Sequence, residues 1–375
     1  MQSFGVYENY YTLNSLSDHP PSDIAWIGSL QGFLMFGGGL VSGQLFDKGY
    51  FRHLIAGGSV LMVFSAFMLS LAKPHNYYQN FLAQGLGLGI GMGMLLMPTL
   101  SVASHYFRRR RALAMGIIIA GGSLGAAVFP VMLNHLFPRV GFAWAVRAQA
   151  FLYLALLTIS NLIMKTRLPV TSKKPVDMRG IVADIPYTMF VIGAFFVFWG
   201  LFVPYFYLQL FSSQNNLPTN IVTYGITILN VVGVLGRTVP NSLADHFGSI
   251  NVALATGIVT GAFVFLLLAS KSVAATVAFA VIYGFSSGGF VSIIAPVAAT
   301  FAKNINEVGT RIGLLSFTVA FAVLTGSPIS GALLHSPQYY WIRPVIFSAV
   351  SILLGCALII ISRSMQVSRK GSWKV

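Results

Sequence analysis

Eleven apolar stretches of about 20 residues or more follow one another along this chain: 24–46, 53–72, 77–104, 112–134, 143–164, 184–211, 219–243, 250–270, 273–300, 311–334 and 341–362. One helix of that length crosses the roughly 30 Å hydrocarbon core of a bilayer. Backbone in hydrocarbon must satisfy its own hydrogen bonds, and a helix does so within one segment. Only 8% of the 375 residues carry charge, where a soluble domain carries about 25%. A soluble enzyme and a disordered chain are excluded, and so is a secreted disulfide scaffold, because the sequence has a single cysteine, Cys356. A net charge of +15 would suit nucleic acid, but the cations stand between apolar segments instead of lining one surface. The sequence thus specifies an all-α polytopic membrane protein that meets lipid and no nucleic acid.

The cations give the orientation. Lys48, Arg52, Arg108–Arg111, Lys165, Arg167, Lys173, Lys174, Arg179, Arg237, Lys303, Arg311, Arg363, Arg369, Lys370 and Lys374 fall on one side, against Lys73, Arg139, Lys271 and Arg343 on the other. Basic loops stay in the cytoplasm, so the C-terminus is expected there, and an odd number of spans places the N-terminus outside. Arg108–Arg111 read as a solvated loop against anionic lipid. Residues 1–12 are too short and too polar to span, and no basic region precedes a compact apolar stretch as in a secretory signal.

Shifting the sequence by 198 residues lays Asp47 on Asp245, Pro98 on Pro296 and Pro130 on Pro328. Three coincidences at one offset indicate a duplicated unit. The expected division is a first bundle over 1–164 with five full spans, a polar, basic linker over 165–183, and a six-helix bundle with its tail over 184–375. Parallel six-span repeats describe the two halves of the major facilitator architecture, and by that count the first half lacks an opening helix.

The stretches SDIAWIGSLQGFLMF (22–36), SGQLFDKGYFRHL (42–54), SHYFRRRRALAMGI (104–117), GGSLGAAVFPVMLNHLFPRVGFAWAVRAQAF (121–151) and GLFVPYFYLQLF (200–211) resemble the major facilitator superfamily. Within it they resemble fungal members of the monocarboxylate-transporter-like family, over nearly the whole chain from residue 3. The resemblance implies twelve helices in two pseudo-symmetric bundles. SFGVYENYYT then looks like the outer end of a first helix, most of which is missing, leaving about 11. It also makes Gly43, Asp47, Lys48 and Arg52 the signature loop between the second and third helices, with Asp245 and His246 as a degenerate second copy. Asp47 could accept hydrogen bonds from a helix N-terminus or an arginine and latch the halves on the cytoplasmic side, which favours an outward-open state.

Arg237 lies about two turns inside its span. An intramembrane charge is costly and faces a cavity or a partner, and guanidinium suits bidentate recognition of a carboxylate. In the resembled family an arginine on this helix is associated with the substrate carboxylate, and Arg237 matches by position. Snorkelling to the inner headgroups and pairing with Asp245 are the structural alternatives. Gly233 stands where animal relatives carry an aspartate, and their first-helix lysine has no counterpart, so a proton-relay pair has no evident members. Asn230 is a polar cavity neighbour; Phe198, Trp199 and Phe202, from an aromatic-rich segment, could line a cavity for a planar or apolar body. Asp184 reads as a helix cap, Arg147 as an anchor at the outer leaflet, and the alternate glycines of GLGLGIGMG as close helix packing.

With no HExxH or CxxC motif and seven scattered histidines, no catalytic, metal or cofactor site is expected. The expected function is secondary-active transport of small, monocarboxylate-like organic anions by alternating access, in a monomer. Export or uptake of a larger planar metabolite, riboflavin-like or secondary, is the first alternative. A transport-dead or sensor-like membrane protein is the second. The plasma membrane is the expected location, with a vacuolar or other internal membrane as the alternative.

Overall fold

The computed structural model describes residues 3–106, 111–167, 177–303, 305–334 and 339–375. Arg108–Arg110, Lys173, Lys174, His335 and the middle of the predicted linker lie outside the described residues. All regular structure among those described is helical. In the first half, α1 is Phe4–Tyr10, continued by a wider turn over Tyr11–Ser15; α2 is Pro21–Asp47, α3 Phe51–Leu69, and α4 runs over 77–106. The segment Arg111–Ile163 holds α5 (111–140) and α6 (142–163), separated at Gly141. Then come α7 (Met178–Val182), α8 (Ile185–Leu201), α9 (Val203–Gln214), α10 (Thr219–Phe247), α11 (Ser249–Phe263) and α12 (Leu266–Ala269). Finally come α13 (Val273–Thr300), α14 (Ile305–Leu334) and α15 (Ile342–Lys370).

Nine helical stretches among the described residues are long and apolar enough to cross a membrane. One of them, Gly121–Ile163, doubles back on itself. Gly141 sits at φ 76°, ψ 170°, a conformation essentially reserved for glycine, just after Pro138. The rings of Phe129 and Tyr153 meet at 5.2 Å, although one straight helix would hold them about 36 Å apart. The shorter α11, extended by α12, accounts for the span expected over 250–270, so each of the eleven apolar stretches has a helical counterpart. Their outward faces are apolar: Val60, Leu162 and Ile163 are 70–72% exposed, a surface that lipid, not water, can cover. Gly141→Ala is expected to destabilise the fold by about 1–3 kcal/mol, read by thermal unfolding in detergent micelles; an unchanged midpoint would refute the strain argument.

The repeat has a structural meaning. Asp47 and Asp245 lie at the ends of α2 and α10, Pro98 and Pro296 inside α4 and α13, and Pro130 and Pro328 inside α5 and α14. The contacts between halves obey the same shift: α2 packs on α14, and α10 packs on α5. The alternate glycines also have a physical reason. A step of two residues turns a helix by about 200°, so Gly85, Gly89 and Gly93 form one row and Gly87 and Gly91 another on the opposite side. The first row lies against the backbone of Ile27, Gln31 and Leu34 in α2, the second against Ser65 and Gly58 in α3. A side chain in either row would push these helices apart.

Two other local features position side chains. The stretch expected as one span over 184–211 breaks at Phe202, because Pro204 has no N–H to donate to the carbonyl of Gly200. That carbonyl instead accepts from Ser348 Oγ at 2.8 Å, and the next, Leu201, accepts from Tyr283 Oη at 2.8 Å. The break is thus satisfied inside the protein, as hydrocarbon requires. At the end of the molecule opposite the basic loops, His75 (φ 61°) hydrogen-bonds Asp18 at 2.9 Å and ties two loops together. Arg147 nearby stacks over Trp144 and donates to Ser70 Oγ. Cys356 is buried against Gly257.

The hydrogen bond from His75 holds the Asp18 carboxyl below its ordinary value, helped by a backbone hydrogen bond and by the charges of His75 and His19. A lowered carboxyl pKa contributes stability above the ordinary carboxylate range and loses it as pH falls through the folded value. Asp18→Asn is therefore expected to remove a small acid-dependent component of stability below about pH 4, seen by comparing unfolding midpoints at pH 7 and pH 3. An identical acid shift in the variant and the parent would refute it.

Candidate functional site

Arg237 is 7% exposed on α10. Small residues bring its helix close to α13, with Gly233 and Gly236 set against the backbone of Gly284, Phe285 and Gly288. Arg237 Nη1 donates across to Ser123 Oγ on α5 of the other half, while Nε has no partner. Among the described residues no ion pair to Arg237 is found. Asp245 is exposed in the last turns of the same helix, and Tyr205 stands within electrostatic reach. The guanidinium therefore faces the opposite half of the molecule, neither snorkelling nor paired with Asp245.

Around it the predicted residues divide. Phe198 is 1% exposed and meets Phe36 of α2 edge-on at 6.3 Å, Phe202 at 5.9 Å and Phe290 of α13 at 6.0 Å. Phe202 leads on to Tyr205, whose hydroxyl lies 3.0 Å from Ser287 Oγ. These rings form one aromatic wall shared by both halves. Asn230 is buried two turns from Arg237; its Nδ2 donates back to Ile226 O and its Oδ1 is unpaired. Trp199 departs from the expected group. It faces α14 and α15, donating to Thr325 Oγ1 at 2.9 Å and resting on Phe347.

The seam between halves runs from this region toward the end opposite the basic loops. Gln209 donates to Asn134, Asn134 donates to Thr223 O, and Gly331 lies against Ser22. His135, Arg139, Thr219 and Asn220 line a cleft of about 220 Å³ where α5 meets α10. Toward the basic side, Gly121 and Gly122 of α5 and Gly309 of α14 are exposed, with no neighbour at van der Waals distance. The described arrangement is therefore joined at the end away from the latch, where the signature loop alone would favour the opposite state. Asp47 closes α2, with Gly43 one turn earlier against Met97; Lys48 and Arg52 are exposed.

Two charged groups have roles the sequence does not show. Asp184 stands at the start of α8, but its side chain accepts no hydrogen bond from that helix. It instead pairs with Arg311 at 2.8 Å and Arg369 at 3.2 Å, so the capping role is corrected to a buried ion pair. Arg311, 1% exposed, also binds Glu307 at 3.3 Å and lies over the Tyr187 ring. The second group is Glu8, buried on α1 with both carboxylate oxygens unpaired. The only sequence signal for it is an acid within a run of aromatic residues.

A lengthwise duplication, a buried cation between halves and contacts that interchange under one shift are the marks of a two-bundle transporter. The model of the Major Facilitator Superfamily matches residues 3–240, and the chain belongs to that superfamily. It is 38% identical over 99% of its length to the aspyridones efflux protein apdF of Emericella nidulans, covering 75% of that protein. It is 36% identical over 96% of its length to the agnestins efflux protein AgnL12 of Paecilomyces divaricatus, covering 82% of it. With the fujikurins efflux protein of Gibberella fujikuroi it shares 34% identity over 99% of its length and 80% of the relative's. The chain is a multi-pass membrane transporter of the major facilitator type, not an enzyme.

Proposed function

We propose that the chain exports an organic anion with an apolar, planar body, by alternating access between its two halves, in a plasma-membrane monomer with a cytoplasmic C-terminus. The observation that carries this reading is Arg237: a buried guanidinium with an unpaired Nε and no carboxylate partner among the described residues. An intramembrane charge is tolerated when something supplies the counter-charge, and a transported acid supplies it only while bound. Phe36, Phe198, Phe202 and Tyr205 offer rings for the rest of the molecule, with Asn230 Oδ1 as a free acceptor. The efflux named in three relatives supports the outward direction. A small monocarboxylate, the other substrate class expected from the sequence, would satisfy Arg237 without reaching these rings.

The test is transport by the purified chain in proteoliposomes loaded with labelled lactate, pyruvate or a fluorescent aromatic carboxylate. Release of the aromatic acid ahead of the two small acids supports the reading. Release of an uncharged analogue at the same rate would overturn the role given to Arg237.

A further inference from the structure

Glu8 takes no part in the site above, yet it is completely buried and neither Oε1 nor Oε2 has a partner among the described residues. Its depth follows from how α1 is laid down. Phe4 packs edge-on against Phe206 of α9 at 5.1 Å and presses on Gly28 of α2, while Gly5 lies against Tyr205 O and Ile226 of α10. The short helix thus fills the joint between the two halves, at the end away from the basic loops.

The titratable groups that face it are phenols. Tyr7 on α1 donates to Gln149 of α6, and Tyr11 on the wider turn that continues it donates to Gln84 of α4. Tyr77 of α4 donates to Asp23 O of α2, and Tyr207 of α9 donates to Ser327 O of α14. Tyr10 stacks on Phe142, and Tyr153 of α6 receives a hydrogen bond from Gln149. Of these, Tyr11, Tyr77 and Tyr207 lie within electrostatic reach of Glu8; each of those three hydroxyls already donates elsewhere, and no neighbouring cation acts on Glu8. Asn9 Oδ1 and Thr12 Oγ1 beside it are unpaired as well. A carboxylate in such a place has neither counter-charge nor donor and is costly, whereas the neutral acid is tolerated. Opening the joint to water would reverse that preference.

We propose that Glu8 is a proton-binding site in the outer gate: it takes up a proton when the joint opens to the outside, and the neutral carboxyl lets α1 close against α9. The exchange is carboxylate plus proton to carboxylic acid, with no other bond changed. The inference rests on the transport reading and its orientation, and it makes gate closure depend on external protons.

A cysteine placed at Ser327, one turn from the Gly331–Ser22 contact, reports on the joint; the native Cys356 is buried. A membrane-impermeant maleimide is applied to vesicles at external pH 5 and pH 8, with the chain lacking S327C as the blank, and each rate is divided by that of the same thiol in unfolded protein at the same pH, because the reacting thiolate is itself more abundant at pH 8. Labelling is expected to be several-fold faster at pH 8. In E8Q it stays slow at both values, and in E8D the response returns. Labelling of S327C that ignores pH, or an E8Q response equal to that of the parent, would overturn the proposal. If pH-dependent labelling through Glu8 persists while no carboxylate is exported, the substrate reading falls and the proton site stands.

Discussion

Replacing Arg237 with methionine is expected to reduce export of an aromatic carboxylate by about 100-fold or more while leaving the folded state as stable as before, or more so. Truncating one member of a buried charge pair costs about 2–5 kcal/mol, and that loss falls on the bound complex because the counter-charge arrives with the cargo. In the unloaded protein Ser123 is the guanidinium's one hydrogen-bond partner among the described residues and Nε is idle, so removing it relieves a desolvated charge. Arg237→Lys keeps the charge but loses the fork that grips two oxygens, and is expected to fall between parent and methionine variant. Transport rates paired with unfolding midpoints check this. Unchanged transport in Arg237→Met, or a large drop in its midpoint, would contradict the assignment.

Arg311→Met should do the reverse. Here the guanidinium is 1% exposed and already holds Asp184 and Glu307. Breaking a buried pair by removing one partner typically costs about 3–5 kcal/mol, because the other charge is left desolvated. Arg369 also reaches Asp184, but its side chain is nearly half exposed and is a poorer replacement. The double variant Arg311→Met with Asp184→Asn is expected to recover part of the loss, since neither strands a charge on the other. A double-mutant cycle on unfolding free energies reads the coupling directly, and strict additivity would show that the two do not act as a pair. Two deeply buried arginines thus carry opposite predictions, set by whether the protein supplies the anion.

The span positions were legible because length and hydropathy suffice in a bilayer, and the glycine rows because a two-residue step sorts side chains onto opposite helix faces. Side-chain direction was not. Helix α8 is apolar on every side, so Phe198 and Trp199 carry no polar face to tell them apart, and only the packing separates the inward ring from the one against α15. The break at Phe202 depends on Ser348, far away in sequence, satisfying the carbonyl that Pro204 leaves bare. Asp184 looked like a cap because it begins a helix, and its real partner, 127 positions on, follows from tertiary folding alone. Glu8 escaped notice because FGVYENYYT reads as too polar to matter, while the fold buries its phenol rings and the acid with them.

Cys356 has a practical consequence. The one native thiol is walled in against Gly257, so the natural chain already offers a quiet background for attaching spin labels or fluorophores in pairs. Distances between α2 and α14, or between α5 and α10, could then be followed through a transport cycle without first rebuilding the protein to remove competing sulfur.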